Sequence, residues 1–396
     1  MKIIQINSTC GVGSTGKICL SISKLLNKQD IENYIFYSLN SSTYPQGRKY
    51  ASELYIKFQA VKSRVLGNYG FNSKSATRKL ILYLNEMKPD VVHIHNVHSH
   101  DLNLSLLFNY LKESHTKVIW TFHDCWAFTG YCTHFTMDKC DKWKTWCHNC
   151  PQRRRFSWFF DRSRQIFEMK KALFTGLELT IVTPSQWLAN LVRESFLKDY
   201  PVIVINNGID LDVFKPTESD FKEKYGLKEK HVILGVASGW EKRKGLDVFI
   251  DLAQRLNDHF RIILVGTDDK IDRQLPNNII SIHRTQNQHE LAEIYTAADV
   301  FANPTREENY PTVNMEAIAC GTPVVTFRTG GSPEIIDETC GTVVECDVNE
   351  LKREVERICT SNVYNQSQCI ERARKFDETK QFMRYIELYQ NVGVQL

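Results

Sequence analysis

The sequence lacks a long apolar run, a strong net charge and any internal repeat. No stretch approaches the roughly 18 consecutive apolar residues of a membrane span, so a membrane-crossing protein is not expected. The 50 Lys and Arg residues nearly balance the 46 Asp and Glu residues, and a net charge of +4 does not by itself indicate nucleic-acid binding. The absence of repeats and low-complexity tracts excludes solenoids and disordered arrays. An ordinary soluble globular protein remains.

The first residues also lack the features of a secretion signal. Met1–Asn7 passes directly into a strand pattern, without a long apolar region or a small-residue cleavage site. We therefore expect a cytoplasmic protein. Its 12 cysteines agree with this expectation, because eight of them are scattered singly through apparent strands and helices, as reduced core thiols are.

The length and the hydrophobic pattern predict two domains. A chain of 396 residues exceeds the roughly 250–300 residues over which one core keeps growing. Short apolar runs alternate with helical patterns, which is typical of a doubly wound parallel sheet. The pattern restarts after the polar stretch Gly208–Lys230, which places the boundary near residue 206. The predicted strands are Lys2–Asn7, Tyr34–Ser38, Asp90–His95, Lys117–His123, Leu179–Thr183, Val202–Asn206, Val232–Ala237, Arg261–Val265, Ile279–His283, Asp299–Asn303, Pro323–Phe327 and Thr342–Glu345.

The segment Asn303–Val325 carries the most informative pattern. Glu308 and Glu316 lie eight residues apart around a predicted helix start, one carboxylate outside the helix and the other inside it. Pro311 suits the first helical position, and Gly321 supplies a stop. Amides at a helix N-terminus attract anions, and carboxylates accept hydrogen bonds from hydroxyl groups. The segment therefore indicates a nucleotide-sugar site, with a solvated acidic helix start as the alternative.

Two strand ends in the first half are further candidates. Gly11, Gly13 and Gly16 follow the first strand at a spacing that fits neither the Walker nor the dinucleotide fingerprint. Such a turn lets the backbone approach a ligand closely, although a plain strand-to-helix turn explains it equally well. His123 and Asp124 follow another apolar strand, at the carboxyl edge where open α/β sheets bind ligands.

Three other histidines, His93, His95 and His98, lie close together in the sequence. His93 and His95 share one strand face and resemble a metal pair. No partner ligand accompanies them at a convincing spacing, so we favour a structural interpretation. A diphosphate needs cations, and Lys242, Arg243 and Lys244 supply them in a stretch that follows a strand and opens a helix.

Four clustered cysteines stand apart from the other eight: Cys132, Cys140, Cys147 and Cys150. Four thiols within nineteen residues of a cytosolic protein indicate tetrahedral zinc, and Cys147 and Cys150 have Cys-x-x-Cys spacing. Reduced core cysteines and redox chemistry are the alternatives. Because protein would fill all four positions, the zinc would be structural, and we expect no cofactor for catalysis.

A basic and aromatic run follows at Arg153–Arg162. Three consecutive arginines precede Phe156, Trp158, Phe159 and Phe160, a mixture that suits an anionic lipid surface. A second basic region covers Lys57–Lys79. Ordinary solvated helices explain both regions nearly as well. Peripheral membrane contact is therefore a hypothesis.

The interval from Glu308 to Glu316 resembles the Glu-x(7)-Glu signature of retaining glycosyltransferases of family four, which have the two-domain GT-B fold. The resemblance implies that Glu308 faces the donor sugar and Glu316 holds the ribose hydroxyls; the adjacent Glu307 leaves a one-residue ambiguity. It also implies that His123 contacts the donor sugar and that Lys244 binds the diphosphate. The arginine of the family's phosphate stretch falls on Gly239 here, so Arg243 or Lys242 must substitute.

The resemblance assigns further residues to donor binding. A neutral His123 imidazole can bond a sugar hydroxyl or polarise a leaving oxygen. Together with Glu308 and Lys244 it forms the predicted catalytic set. The remaining predicted donor-binding residues are Arg243, Glu316, Gly13, Ser14, Thr15, Gly16, Asn309, Tyr310, Pro311, Thr312, Gly330 and Gly331.

The implied fold is GT-B, with two Rossmann-like domains facing a cleft. Residues 1–206 form the acceptor-side domain with a cysteine-rich insertion at about 125–152, residues 207–377 bind the nucleotide sugar, and a helix over 378–396 crosses back. The implied activity is metal-independent hexosyl transfer from a nucleoside-diphosphate sugar to a glycan or lipid-linked glycan in exopolysaccharide synthesis. Two rivals remain: a sugar-nucleotide epimerase or hydrolase, and a noncatalytic zinc-stabilised protein that binds an anionic polymer.

Overall fold

Apolar strands buried on both faces organise the chain into two α/β units. The computed structural model describes residues 1–361 and 363–394. The first unit comprises Met1–Asn206 and the chain from Gln381 onward, and the second comprises Asn207–Lys380. From the sequence we placed the domain boundary near residue 206 and expected the last helix to return to the first domain.

The first unit contains a seven-stranded parallel sheet of order β3-β2-β1-β4-β5-β6-β7. Its near-continuous apolar strands are typical of a parallel sheet covered on both faces; Ile3 and Ile4, which are consecutive, are both fully buried. The strands are β1 (Lys2–Ile6), β2 (Glu32–Tyr37), β3 (Gly47–Lys49), β4 (Val91–Ile94), β5 (Lys117–Thr121), β6 (Leu179–Thr183) and β7 (Val202–Val204).

Helices cover both faces of this sheet. The first unit has α1 (Gly13–Lys28), α2 (Glu53–Leu66), α3 (Lys74–Met87), α4 (Leu104–Glu113), α5 (Arg153–Phe156), α6 (Ser163–Phe174) and α7 (Gln186–Glu194). One core joins α1 to the C-terminal helix through residues such as Ile22 and Tyr389. The other, larger core takes in α3, α4, α6 and α7, so the sheet separates two apolar layers.

The second unit contains a six-stranded parallel sheet of order β10-β9-β8-β11-β12-β13. Its strands are β8 (His231–Val236), β9 (Phe260–Val265), β10 (Ile279–Ile282), β11 (Val300–Asn303), β12 (Val324–Phe327) and β13 (Gly341–Val344). The helices that follow α7 in the chain are α8 (Phe221–Lys224), α9 (Leu246–Arg255), α10 (Asp269–Asp272), α11 (Gln288–Ala297), α12 (Thr312–Ala319), α13 (Ser332–Ile335), α14 (Val348–Ser361), α15 (Gln366–Ala373) and α16 (Glu378–Val394). The last of these, α16, continues into the first unit.

All twelve predicted strands are present, with ends that differ by at most two residues. The strand β3 was missed because Gly47, Arg48 and Lys49 include no apolar residue, and this strand pairs only at the edge of the sheet. Within the described residues, no helix combines the length and the apolarity that a membrane span requires.

Two helix starts differ from the predictions. Pro311 is not the first residue of α12 but the residue before it, because its ψ of 115° is extended and the helix begins at Thr312. The first helix begins at Gly13, so Gly13, Ser14, Thr15 and Gly16, which were predicted to form a ligand-binding turn before a helix, form the first turn of α1.

Candidate functional site

An ion pair between Lys244 and Glu308 is the centre of the candidate site in the second unit. Lys244 ends a short 3-10 turn after β8, and Glu308 lies in the loop after β11. These strands are neighbours in a parallel sheet, so their following loops meet at one edge. Lys244 Nζ donates to Glu308 Oε2 at 2.6 Å, with 22% and 19% of the two side chains exposed. The pair is thus partly shielded yet accessible.

Two glycines allow the surrounding loops to approach the pair. Gly245 has φ +81°, and a Cβ there would lie 2.5 Å from the carbonyl oxygen of Pro304. Gly330 has φ +55°, and a Cβ there would lie 1.7 Å from the carbonyl oxygen of Glu308. Gly331 N–H then donates to Asn309 O at 2.8 Å. The loops after β8, β11 and β12 are therefore packed against one another.

Arg243 lies beside the pair with its guanidinium already engaged. Its Nε donates to Glu241 Oε1 at 2.8 Å, and its Nη1 donates to Glu307 O at 3.4 Å. A Cβ at Gly239 would meet no atom within 4 Å, so the space around this position does not require glycine. Arg243 therefore stays the predicted substitute for the arginine that the family has at this position.

Glu316 is held by a residue that the sequence did not indicate. Tyr295 on α11 donates its hydroxyl to Glu316 Oε2 at 3.0 Å. Burial, followed by the charge of Glu316, raises the pKa of Tyr295 well above its usual value, so the hydroxyl stays a neutral donor. A tyrosine on the apolar face of a helix has the sequence pattern of an ordinary core residue, and no local signal distinguished Tyr295.

The other predicted residues of this loop are mostly buried. Asn309, Tyr310 and Pro311 are buried, whereas Thr312 is half-buried. Tyr310 O accepts a hydrogen bond from Asn207 Nδ2 at 3.3 Å. The two adjacent glutamates, which the sequence left ambiguous, differ in the structure. Glu307 is buried, whereas Glu308 is half-buried and pairs with Lys244.

In the first unit, the predicted glycine loop is tied to the sheet by Asn7. The Asn7 amide donates to Thr9 O at 2.8 Å and accepts from Asn96 N–H at 3.2 Å, which links the ends of β1 and β4. Gly16, in the first turn of α1, packs against Thr9, since a Cβ there would lie 2.6 Å from Thr9 Oγ1. Asn7 is fully buried. The sequence did not single it out, although a polar residue at the end of an apolar strand could have indicated its role. Ser14 and Thr15 remain partly or fully exposed in the same turn of α1.

His123 lies at the end of β5 and contacts a second histidine. His95 Nδ1 and His123 Nε2 are 3.1 Å apart. His93 lies instead against Tyr389 OH at 2.6 Å and Thr121 Oγ1 at 2.8 Å. These hydroxyl partners agree with the structural interpretation of His93.

A half-buried ion pair adjoins His123. His98 Nε2 and Asp124 Oδ2 are 2.9 Å apart. Burial alone would raise the pKa of Asp124, but the charge and the hydrogen bond of His98 outweigh it and lower that pKa to about 2. Asp124 is therefore a carboxylate at neutral pH.

The four clustered cysteines line one pocket together with Trp143 and His148. Gly130 N–H donates to Cys147 Sγ at 3.1 Å, and burial raises the pKa of the Cys147 thiol to about 11. A possible metal site needs at least three Asp, Glu, His or Cys ligand atoms within 4.8 Å of one another. In the described part of the chain, one group meets this condition: Asp269, Asp272 and His283. The four cysteines therefore line one pocket, but no three of their sulfur atoms lie within 4.8 Å of one another. Structural zinc stays a prediction.

Comparison with known protein families accounts for nearly the whole chain. The model described as Glycosyltransferase Family 4 matches residues 15–213, and the model described as Glycosyl transferases group 1 matches residues 217–376. The chain is 23% identical over 420 residues to the protein of Escherichia coli strain K12 named "Putative colanic acid biosynthesis glycosyl transferase WcaC", covering 99% of this chain and 100% of that protein.

Solved structures resemble the chain over its full length. Sucrose-phosphate synthase from Thermosynechococcus elongatus matches with a TM-score of 0.74 at 16% identity, covering 99% of this chain and 98% of that one. Anabaena HepE in complex with UDP-glucose matches with a TM-score of 0.72 at 14% identity, covering 99% and 100%. With the two parallel sheets, these matches confirm the predicted GT-B fold of two Rossmann-like domains.

The contact between Tyr295 and Glu316 generates a binding prediction. Glu316→Ala should weaken the affinity for a nucleoside diphosphate by at least about tenfold, because a hydrogen bond to a charged group contributes about 1.5–3 kcal/mol. Tyr295→Phe should weaken it in the same direction by a smaller factor. Tyr364→Phe is the matched control, since it removes a hydroxyl bonded to Thr342 in the same unit. Calorimetric titration checks this, and unchanged affinity in Glu316→Ala contradicts the ribose assignment.

The cysteine pocket generates a second prediction. Protein purified without chelator should contain about one zinc per chain by elemental analysis. Cys147→Ala should lose the metal and destabilise the segment around the pocket, whereas Cys19→Ala, which removes a buried thiol from α1, should retain it. Metal-free wild-type protein would count against the zinc site.

Proposed function

Because this chain belongs to glycosyltransferase family 4, we propose that it moves a sugar from a nucleoside-diphosphate donor to a glycan or lipid-linked glycan, with retention of anomeric configuration. The observation that carries the proposal is the Lys244–Glu308 pair at the carboxyl edge of the second sheet. It places a cation for phosphate and a carboxylate for sugar hydroxyls side by side.

The charges of the second unit fit a diphosphate. The ammonium of Lys244 has three donors, of which one serves Glu308, and Arg243 adds a guanidinium beside it. Backbone amides at the start of α12 favour anionic groups. In the proposal these groups stabilise the departing diphosphate, and no metal ion is assigned to that step. Glu316, held by Tyr295, accepts from the ribose hydroxyls.

The proposed reaction keeps acceptor attack and leaving-group departure on one face of the sugar. The bond from the anomeric carbon to the phosphate oxygen breaks, and the bond from that carbon to the acceptor oxygen forms. The acceptor proton passes to the leaving phosphate oxygen. Glu308 and His123 orient the sugar, which lowers the entropy cost of reaching this geometry.

The names of relatives support the substrate class. The similar Escherichia coli protein is named for colanic acid biosynthesis, and the similar Anabaena structure contains UDP-glucose. We therefore propose that the donor is a nucleotide sugar and that the product belongs to a bacterial surface polysaccharide. Incubation with a panel of nucleotide sugars tests the proposal. Donor-dependent transfer supports it, whereas hydrolysis without transfer, epimer formation, or tight polymer binding without turnover favours one of the rival functions.

An exposed apolar and basic surface in the first unit supports contact with a lipid-linked acceptor. Trp158, Phe159 and Phe160 are 50%, 63% and 51% exposed, and Trp158 N–H donates to Arg64 O at 2.8 Å at the end of α2. That helix exposes Leu54, Phe58 and Val61, which recur every three or four residues along one face. We propose that this surface, together with Arg153, Arg154 and Arg155, binds anionic lipid at the inner face of the cell membrane.

Replacement of the central ion pair should abolish most transfer. Glu308→Gln and Lys244→Ala should each lower the rate by at least about tenfold, because each removes a charge-assisted contact of about 1.5–3 kcal/mol. The matched controls are Glu223→Gln and Lys228→Ala, which break an exposed ion pair of the same unit. Near-normal turnover by both site variants would refute the assignment.

Membrane binding should depend on the arginines. Each arginine near an anionic surface contributes about 1 kcal/mol, so replacing Arg153, Arg154 and Arg155 together should weaken vesicle binding by roughly a hundredfold or more. The control replaces Lys24 and Lys28, which are exposed on α1 in the layer that packs with α16. Sedimentation with anionic liposomes at low and moderate salt provides the measurement. A wild type that does not sediment even at low salt would make the arginine run a solvated face.

A further inference from the structure

A buried hydrogen-bonded chain leads from β1 to His123. Gln5 lies within β1, and His95 directly follows the neighbouring strand β4. Gln5 Oε1 is 3.2 Å from His95 Nε2, and His95 Nδ1 is 3.1 Å from His123 Nε2. Gln5 is fully buried and His95 is almost so. Water therefore does not compete for the contact between Gln5 and His95, whereas His123 is half-buried.

The direction of donation along this chain is fixed at its first residue. Gln5 Nε2 donates to the carbonyl oxygen of Cys19 at 3.1 Å, and a carbonyl oxygen only accepts. The oxygen of the Gln5 amide is consequently the atom that meets His95, and His95 Nε2 must carry the hydrogen. His95 Nδ1 then accepts, so His123 Nε2 must donate.

Burial keeps both imidazoles neutral. It lowers the pKa of His95 well below the usual value and lowers the pKa of His123 to about 4. The charge of Asp124 opposes the shift at His123, and the charge of His98 adds to it. A neutral imidazole has one N–H and one acceptor nitrogen. With the hydrogen of His123 on Nε2, its Nδ1 is the acceptor.

The rings also have little freedom to turn over. The His95 and His123 rings are stacked, with centroids 5.4 Å apart and an angle of 14° between their planes. The centroids of the His93 and His95 rings are 3.9 Å apart, and His93 Nδ1 is hydrogen-bonded to the hydroxyl of Tyr389 in the C-terminal helix. This packing restricts ring rotation, so each histidine keeps the donor and acceptor nitrogens that the contact with Gln5 assigns to it.

We propose that Gln5 and His95 are positioning residues that hold His123 in the Nε2–H tautomer. In that tautomer Nδ1 of His123 is the acceptor nitrogen, which in the proposed function is matched to a donor-sugar hydroxyl rather than to the leaving oxygen. The choice of ligand rests on the proposed function, whereas the tautomer rests on the hydrogen-bonded chain alone. From the sequence, Gln5 was not singled out, and His95 was considered only as half of a possible metal pair, for which a structural interpretation was favoured.

Proton–nitrogen correlation spectra of protein labelled with 15N-histidine provide the test, with the His123 signals assigned by their loss in His123→Gln. We expect the wild type at neutral pH to show His123 protonated at Nε2 and unprotonated at Nδ1. Gln5→Met, which is close in volume but offers no comparable acceptor, should populate both tautomers. Gln59→Met is the matched control, because Gln59 is also a buried glutamine of the first unit.

Kinetics add a measurement that general loss of folding would not reproduce. Gln5→Met should lower kcat by about three- to tenfold, the effect of one neutral hydrogen bond, while nucleoside-diphosphate affinity stays unchanged. His123 protonated at Nδ1 or doubly protonated in the wild type would overturn the proposal, as would an unaltered tautomer in Gln5→Met. If the tautomer behaves as expected but no nucleotide sugar is turned over, the sugar-hydroxyl assignment and the proposed function fail while the positioning chain stands.

Discussion

The close approach of three loops in the second unit is the constraint on which the candidate donor site depends. Gly245 and Gly330 adopt positive φ values where a side chain would meet Pro304 and the backbone of Glu308. Their small size brings Lys244 and Glu308 to 2.6 Å. Exposed ion pairs contribute about 0–1 kcal/mol, whereas breaking a buried pair costs about 3–5 kcal/mol. With about a fifth of each side chain exposed, this pair lies between these limits and stays open to a ligand.

The two units supply different chemistry for the proposed reaction. The second unit offers the partly exposed pair of Lys244 and Glu308, together with Glu316. In the proposal these charges serve the diphosphate and the hydroxyl groups of the sugar and the ribose. The first unit offers His123, which burial keeps neutral, at the carboxyl edge of a separate sheet. A neutral acceptor recognises a hydroxyl group without the cost of burying a charge.

Sequence periodicity was sufficient for the fold, whereas the residues proposed for the candidate site came from motif spacing and a family signature. Long apolar strands such as β1 and β9 are unambiguous because both faces are buried, whereas β3 escaped notice because it has no apolar residue. Glu308 and Lys244 were found from spacing and a family signature. Gln5 and Tyr295 were not, because their roles come from partners distant in the sequence. The cysteine spacing predicted a structural zinc site, but no spacing specifies how close four sulfur atoms come.

Proton NMR of the anomeric signal during turnover tests the central claim most directly. The purified protein is mixed with the nucleotide sugar that it consumes, and the first sugar product is observed before its anomers equilibrate. Retaining transfer predicts a product whose anomeric coupling matches that of the donor, accompanied by release of the nucleoside diphosphate. A product with inverted configuration, or an epimerised sugar still attached to its nucleotide, would contradict the account.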